Sequence, residues 1–284
     1  MNQIIHKKAL NPTVTQMEIY APLVAAKAKP GQFIILRVDE DGERIPLTVA
    51  GTNPAEGTVK IIFQIVGATT EALNHKNEGE YIQDFVGPLG MPTHTEGIRR
   101  VCIVGGGVGC AIAMPVAQEF HRLGAEVTSI IGFRNKDLLI LEEEFKACSD
   151  KLVVMTDDGS YARHGNVTVP LKEMLEEGEK FDMIITIGPL IMMKFVTMTA
   201  KPFGVPVTVS MNPIMIDGTG MCGGCRITLV KEDGTRVTKF ACVDGPDFNA
   251  YEIDFDEAMS RGRMYFDYER KAHEKVCNLF KGVD

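Results

Sequence analysis

Four nearly continuous apolar runs in the middle of the chain, RRVCIVGG (99–106), AEVTSIIGF (125–133), KLVVMTDD (151–158) and FDMIITIG (181–188), constrain this sequence most. A strand that is apolar at successive positions is buried on both faces, which requires a parallel sheet covered by helices. Helical patterns such as AIAMPVAQEFHRLG (111–124) fall between the runs and supply that cover. The texture differs on either side. Up to about residue 97 the chain shows short β-branched runs, IIHKKAL, TQMEIY, GQFIILRV, IPLTVAG, GTVKIIFQIVG and EYIQDFVGPLG, separated by turn residues, with one helical candidate at 68–77. Such spacing predicts an antiparallel barrel or sandwich. From residue 211 follow a glycine-rich cysteine loop, a hairpin, an acidic irregular stretch (DGPDFNAYEIDFDEA) and a terminal helix expected near 259–280. The expected fold class is therefore a β barrel plus an α/β unit and a small C-terminal unit, divided at 1–97, 98–210 and 211–284.

At 284 residues and 45% apolar content the chain can bury sizeable cores. A net charge of -8 without a long basic run argues against nucleic acid or an anionic membrane as partner. The N-terminus lacks a leader-like apolar segment, and no stretch approaches the roughly 18 residues of a membrane span, so a cytoplasmic location is expected. Three of the seven cysteines crowd residues 222–242, which suggests metal binding, whereas Cys102, Cys110, Cys148 and Cys277 stand in apolar contexts as small buried hydrophobes.

The loop VGGGVGCA (104–111) follows an apolar strand and opens a helix. Gly105, Gly106, Gly107 and Gly109 would let a phosphate approach the backbone at the helix N-terminus, although Cys110 stands where the last glycine of GxGxxG belongs. TDDGS (156–160), with Asp157 and Asp158, and IGP, with Gly188 and Pro189, end two further strands on the same expected edge. Ligands of open α/β sheets bind beyond such strand ends. The alternative is a merely tight strand-to-helix turn.

Asp217, Cys222, Cys225 and Cys242 are spaced D-x4-C-x2-C-x16-C. Between the last two cysteines, RITLVKEDGTRVTKFA reads as two strands about Asp233-Gly234. A two-residue turn there would pair residues whose numbers sum to 467, setting Cys225 opposite Cys242. Three chemistries compete at this point. A redox pair would open a helix instead of a strand. Structural zinc favours histidine companions, and none is close. A 2Fe-2S cluster needs four anionic ligands around a glycine-rich loop, which Gly218, Gly220, Gly223 and Gly224 supply.

A small barrel followed by a nucleotide-binding α/β unit resembles the ferredoxin-NADP reductase superfamily over residues 1–210. IPLT (45–48) resembles its Arg-x-Tyr-Ser flavin segment, and VGATT (66–70) the loop that takes the flavin pyrophosphate. The resemblance implies FAD contacts at Pro46, Leu47, Thr48, Ile65, Val66, Gly67, Thr69, Thr70 and Gly87. The family arginine falls at Ile45; Arg44, one residue early, would need a bulge to reach the flavin. The family's Cys-Gly-Pro reads Ile187, Gly188, Pro189.

With the cysteine loop added, the chain is similar to electron-transfer subunits of class B dihydroorotate dehydrogenase. It resembles more closely the small subunits of NADH-dependent ferredoxin-NADP oxidoreductase, also called sulfide dehydrogenase small subunits, whose first ligand is aspartate. The resemblance implies FAD, a 2Fe-2S cluster on Asp217, Cys222, Cys225 and Cys242, and NAD(H), with NADP(H) left open by Arg134 and Arg163 beside TDDGS. It further implies a heterodimer with a larger flavin and iron-sulfur subunit that meets ferredoxin in this chain's stead, since acidic ferredoxins dock poorly on an acidic chain. The remaining readings are the dihydroorotate dehydrogenase subunit and, from another class, a nucleotide-binding regulatory protein with a zinc clip.

Overall fold

The structure, a computed structural model, describes residues 2–272. The first unit is antiparallel: β1 (Ile4–Asn11), β2 (Val14–Tyr20), β3 (Phe33–Arg37), β4 (Arg44–Asn53), β5 (Thr58–Gln64) and β6 (Asp84–Leu89), in spatial order β1-β2-β5-β4-β3-β6. Its edges meet, because Gln3 bridges Tyr81 while Ile4 N–H donates to Glu80 O and Gly79 N–H to Ile4 O. That closure makes a barrel and removes the unpaired edges. Alternating residues such as Ile34, Leu36, Val59, Ile61 and Phe63 fill it. Helix α1 (Pro22–Ala25) packs beside β5, and α2 (Ala68–His75) buries Leu73 in the barrel core.

The second unit holds β7 (Arg100–Gly106), β8 (Glu126–Phe133), β9 (Lys151–Thr156), β10 (Arg163–His164), β11 (Met183–Ile187) and β12 (Val207–Ser210), all parallel. Helices α3 (Gly109–Arg122) and α4 (Glu142–Ala147) cover one face. Helices α5 (Thr168–Glu176) and α6 (Leu190–Ala200) cover the other. Along β7, Val101 and Ile103 face α3 while Cys102 and Val104 face α5 and α6, which explains why the run is apolar throughout. Strand order reverses between β7 and β11, the place where such sheets open a crevice.

The third unit contains β13 (Arg226–Val230), β14 (Arg236–Phe240), α7 (Ala241–Asp244), β15 (Asp247–Asn249) and α8 (Phe255–Gly262). The hairpin corrects the expected register. Arg226 pairs with Phe240 and Val230 with Arg236, so partner numbers sum to 466, and Cys225 lies opposite Ala241, whose N–H it accepts. The cause is a three-residue loop, Glu232 to Gly234, with Gly234 at φ +83° and Lys231 N–H bonded to Thr235 O.

A second correction concerns the stretch expected to be irregular, for β15 pairs antiparallel with β12 and extends the sheet to seven strands. The terminal helix also differs. It starts at Phe255, where the Asp254 carboxylate accepts the Glu257 N–H, breaks at 263–265, and is helical again from 266 to 272. The rest of the expected helix, and Cys277, lie outside the described residues.

Candidate cofactor-binding site

The slipped register would by itself turn Cys242 to the wrong side of the hairpin. Helix α7 restores it: the chain coils immediately after β14, and the Cys242 sulfur comes to 3.2 Å from that of Cys225. The distance is far beyond a disulfide bond. Two thiolates on one tetrahedral metal with bonds of about 2.3 Å lie about 3.8 Å apart, so a small adjustment fits both to one ion. Each residue keeps 2% of its surface, within one apolar core that also holds Ile227, Ala241 and, from the barrel, Phe33 and Ile35. Burial, followed by the neighbouring Cys225 thiol, pushes the Cys242 thiol up to about 12 in the metal-free chain, opposed by the Gly220 N–H.

Asp217 and Cys222 form the other side. The Asp217 carboxylate accepts the N–H groups of Thr219 at 2.9 Å and Cys222 at 2.8 Å, and these bonds hold it below the usual carboxylate range. Cys222 is exposed, and its sulfur accepts the Gly224 N–H at 3.4 Å. Gly218 (φ +74°) is pinned: a Cβ there would lie 2.7 Å from Leu89 Cδ1 and 2.9 Å from Ile35 Cδ1. Its left-handed backbone and its contact with the barrel both demand glycine. Among the described residues no three histidine, cysteine or acidic side chains already converge on one point. The structure thus pairs Cys225 with Cys242 and strings Asp217 and Cys222 along the adjoining loop. Three sulfurs, a carboxylate and loop N–H groups directed at sulfur suit an iron-sulfur cluster.

Cys222, Gly223 and Gly224 line a cleft of about 920 Å³ that also takes in Arg44 of β4 and Gly188 after β11, so all three units meet at one cavity. The pairing of β4 with β3 is regular from Arg44 to Thr48, without a bulge. Ile45 and Leu47 pack on the barrel core, and by alternation Arg44, Pro46 and Thr48 share the opposite face. Arg44 therefore reaches the cleft without the bulge expected of it. Pro46, Leu47 and Thr48 do not line the cleft. Ile65 is half-buried against the barrel core, and Val66 is exposed. Gly67 caps α2, and Thr70 is engaged locally: its hydroxyl accepts the Val66 and Gly67 N–H groups at 3.0 Å each, leaving Thr69 in the first turn. Gly87 has a packing reason, since a Cβ would meet Ile34 Cγ2 at 2.6 Å.

At the switch point the four glycines divide by role. A Cβ on Gly109 would strike Ile187 O at 2.4 Å, so this glycine lets α3 approach β11. Gly105 makes room for the Cys110 sulfur, which lies 2.9 Å from where a Cβ on Gly105 would stand; this accounts for cysteine in place of the last motif glycine. Gly106 faces Met192 and Gly188 likewise, whereas Gly107 has φ +55° and open space above it. Helix α3 begins without a side-chain cap; the Gly107, Cys110 and Ala111 N–H groups are bonded to Gly132 O, Gly107 O and Val108 O, so those of Val108 and Gly109 are the ones left for an anion. Pro189 caps α6. Asp157 and Asp158 are exposed, tied by their N–H groups to Phe133 O and Arg134 O, and Ser160 holds the Asp158 carboxyl low. Arg163 is clamped by Glu173 at 2.5 and 2.7 Å, while Arg134 has no side-chain partner among the described residues.

Two cleft residues are not singled out by the sequence. Arg226 directly follows the cysteine pair, a signal within reach of motif reasoning; Arg261, on the last turn of α8, carries none.

A closed barrel, a parallel sheet with an open switch point and a cysteine loop at their junction define a reductase-type module with an appended iron-sulfur unit. Residues 212–254 match the family model described as the iron-sulfur cluster binding domain of dihydroorotate dehydrogenase B. The chain is 46% identical over 275 residues to the dihydroorotate dehydrogenase B (NAD(+)) electron transfer subunit homolog of Thermotoga maritima, covering 97% of this chain and 95% of that one. It is 31% identical over 251 residues to the corresponding electron transfer subunit of Streptococcus pneumoniae, covering 87% and 94%. A solved structure described as that of the NADH-dependent reduced ferredoxin-NADP oxidoreductase superposes with a TM-score of 0.89 at 44% identity, covering 98% of each chain. The chain belongs to the family of dihydroorotate dehydrogenase B electron transfer subunits and their homologues. No helix among the described residues is long and apolar enough to cross a membrane.

Proposed function

We propose that this chain is the NADH-oxidising electron-transfer subunit of a ferredoxin-NADP oxidoreductase type complex. It binds FAD and a 2Fe-2S cluster and delivers electrons to a larger partner subunit, through which ferredoxin is served. The observation that carries this reading is the single cleft joining Arg44, Gly188 and the Cys222–Gly224 loop, beside two sulfurs 3.2 Å apart. Flavin and cluster, when bound, supply the conversion of a two-electron hydride into single electrons.

The chain's own residues bind, orient and exclude water. The open space above Gly107 and the Val108 and Gly109 N–H groups at the start of α3 receive the nicotinamide dinucleotide's phosphates, with Gly188 and Pro189 bordering the nicotinamide end. Asp157 and Asp158 disfavour a 2'-phosphate; of the two arginines beside them, Arg163 is neutralised by Glu173, while Arg134, whose carbonyl accepts the Asp158 N–H, has no side-chain partner among the described residues. The β4 segment with Pro46, Leu47 and Thr48, together with Gly67 and Thr69 at the start of α2, holds the flavin, and Arg44 offsets its pyrophosphate charge. Asp217, Cys222, Cys225 and Cys242 hold the cluster.

The names of several relatives favour a second reading, in which the partner is a dihydroorotate dehydrogenase; the aspartate at the first ligand position opposes it. Protein purified without air is expected to show flavin bands and broad iron-sulfur absorption that bleach on addition of NADH. A colourless protein sinks the proposal, and the identity of a co-purifying subunit decides between the two partners.

A further inference from the structure

Helix α8 holds Arg261 against the cysteine loop. Its Nη2 donates to the Gly224 carbonyl at 3.1 Å, and the side chain lines the same cleft as Arg44 and Gly188. The helix is fixed at several points: Asp254 caps its start, Arg236 of β14 bridges Asp254 and Glu257 at 2.8 Å each, and Lys194 of α6 pairs with Asp256 at 2.6 Å. Glu257, the acidic residue one turn before Arg261, is thereby already neutralised. Arg261 itself forms no ion pair among the described residues.

We propose that Arg261 is a positioning residue for the cluster loop, one that fixes the Gly224–Cys225 peptide and raises the reduction potential with its uncompensated charge. This rests on the iron-sulfur reading above. The carbonyl and N–H of a trans peptide point in opposite directions. A guanidinium that draws the Gly224 carbonyl outward therefore turns the Cys225 N–H to the other side, as the preceding Gly224 N–H already faces the Cys222 sulfur. Reduction adds a negative charge to the cluster, and a nearby unpaired cation in a partly desolvated wall favours that state. The donor is charged and planar, so lysine replaces its charge without its geometry.

The test compares Arg261→Gln and Arg261→Lys with the parent by iron and sulfide content and by redox titration of the cluster, followed by electron paramagnetic resonance. A parent without iron-sulfur signals would refute the underlying reading before any variant is made. Arg261→Gln is expected to keep its iron while the reduced-to-oxidised ratio at fixed potential falls about tenfold, a shift of about 59 mV for one electron. Arg261→Lys should fall about threefold. A glutamine variant with a full cluster and the parent's midpoint and spectrum overturns the proposal. If glutamine abolishes the cluster, lysine decides: a retained cluster supports a positioning role, and its loss marks Arg261 as merely structural and overturns it.

Discussion

The two halves of the cysteine site are built by opposite means. Cys225 and Cys242 stand in a packed core with 2% of their surfaces exposed, at the end of a hairpin and in the helical turn that follows it. Asp217 and Cys222 ride a solvent-facing glycine loop whose shape depends on backbone hydrogen bonds to one carboxylate. The buried pair is set by tertiary packing before any metal arrives. The loop pair owes its position to local turns beyond the pinned Gly218, and on the proposed reading it closes on the metal as ligand binding couples to the ordering of a site. This division predicts unequal responses to substitution.

The largest effect is expected at the buried half. Cys225→Ser should reduce iron and acid-labile sulfide to near zero, because a buried serine cannot be exchanged for a solvent ligand. Cys222→Ser should keep a measurable fraction, since the adjoining loop already presents an oxygen donor and can shift. Equal losses in iron and sulfide assays would erase the distinction. Next comes the loop's anchor. Gly218→Ala forces a side chain into a left-handed backbone and against Leu89 and Ile35, a destabilisation of about 1–3 kcal/mol. Denaturant unfolding measures it, and an unchanged midpoint would mean that the loop is not pinned to the barrel. A smaller effect follows from making the halves alike. Asp217→Cys should preserve cluster content but lower the potential, because thiolate donates more electron density than carboxylate; a redox titration that leaves the midpoint in place contradicts this.

The same division separates what the sequence reveals from what it hides. Alternation and apolar runs mark the strands of the barrel and the central sheet because their burial is periodic. Turn chemistry brings Cys225 and Cys242 together on paper, yet for the wrong geometric reason. Asp233-Gly234 signals a turn without stating its length, and the missing residue is made good by α7, whose four residues carry no helical pattern. Strand β15 is three residues of an acidic stretch, DFN, and acquires its conformation only from the exposed edge of β12. Arg44 reaches the cleft from the face that a comparison of motifs disfavours. Arg261 lies 37 residues beyond the Gly224 it touches and depends wholly on where α8 packs.

The weakest of the expected effects tests the joint behind the buried half. Asp247 of β15 receives the Thr93 hydroxyl at 2.6 Å and a second bond from Ser210, tying the barrel's exit segment to the sheet and to the cysteine unit. The residue keeps some exposure, but its carboxylate lies deep among protein atoms, pairs with no cation among the described residues, and is raised by burial above the usual value of 3.8. Between that value and the raised one, the unfolded chain has lost the proton that the folded chain retains. Stability therefore falls as pH rises through this window, by at most about 1.4 kcal/mol per pH unit for one group. Above the window the full cost of the buried charge persists. Asparagine can bond both hydroxyls without a charge, so Asp247→Asn should flatten the slope and exceed the parent in stability at neutral pH. Denaturant midpoints measured from pH 4 upward check it. Parallel curves for the two proteins would show that Asp247 keeps its charge at no cost, and that the joint owes its strength to the β12–β15 pairing alone.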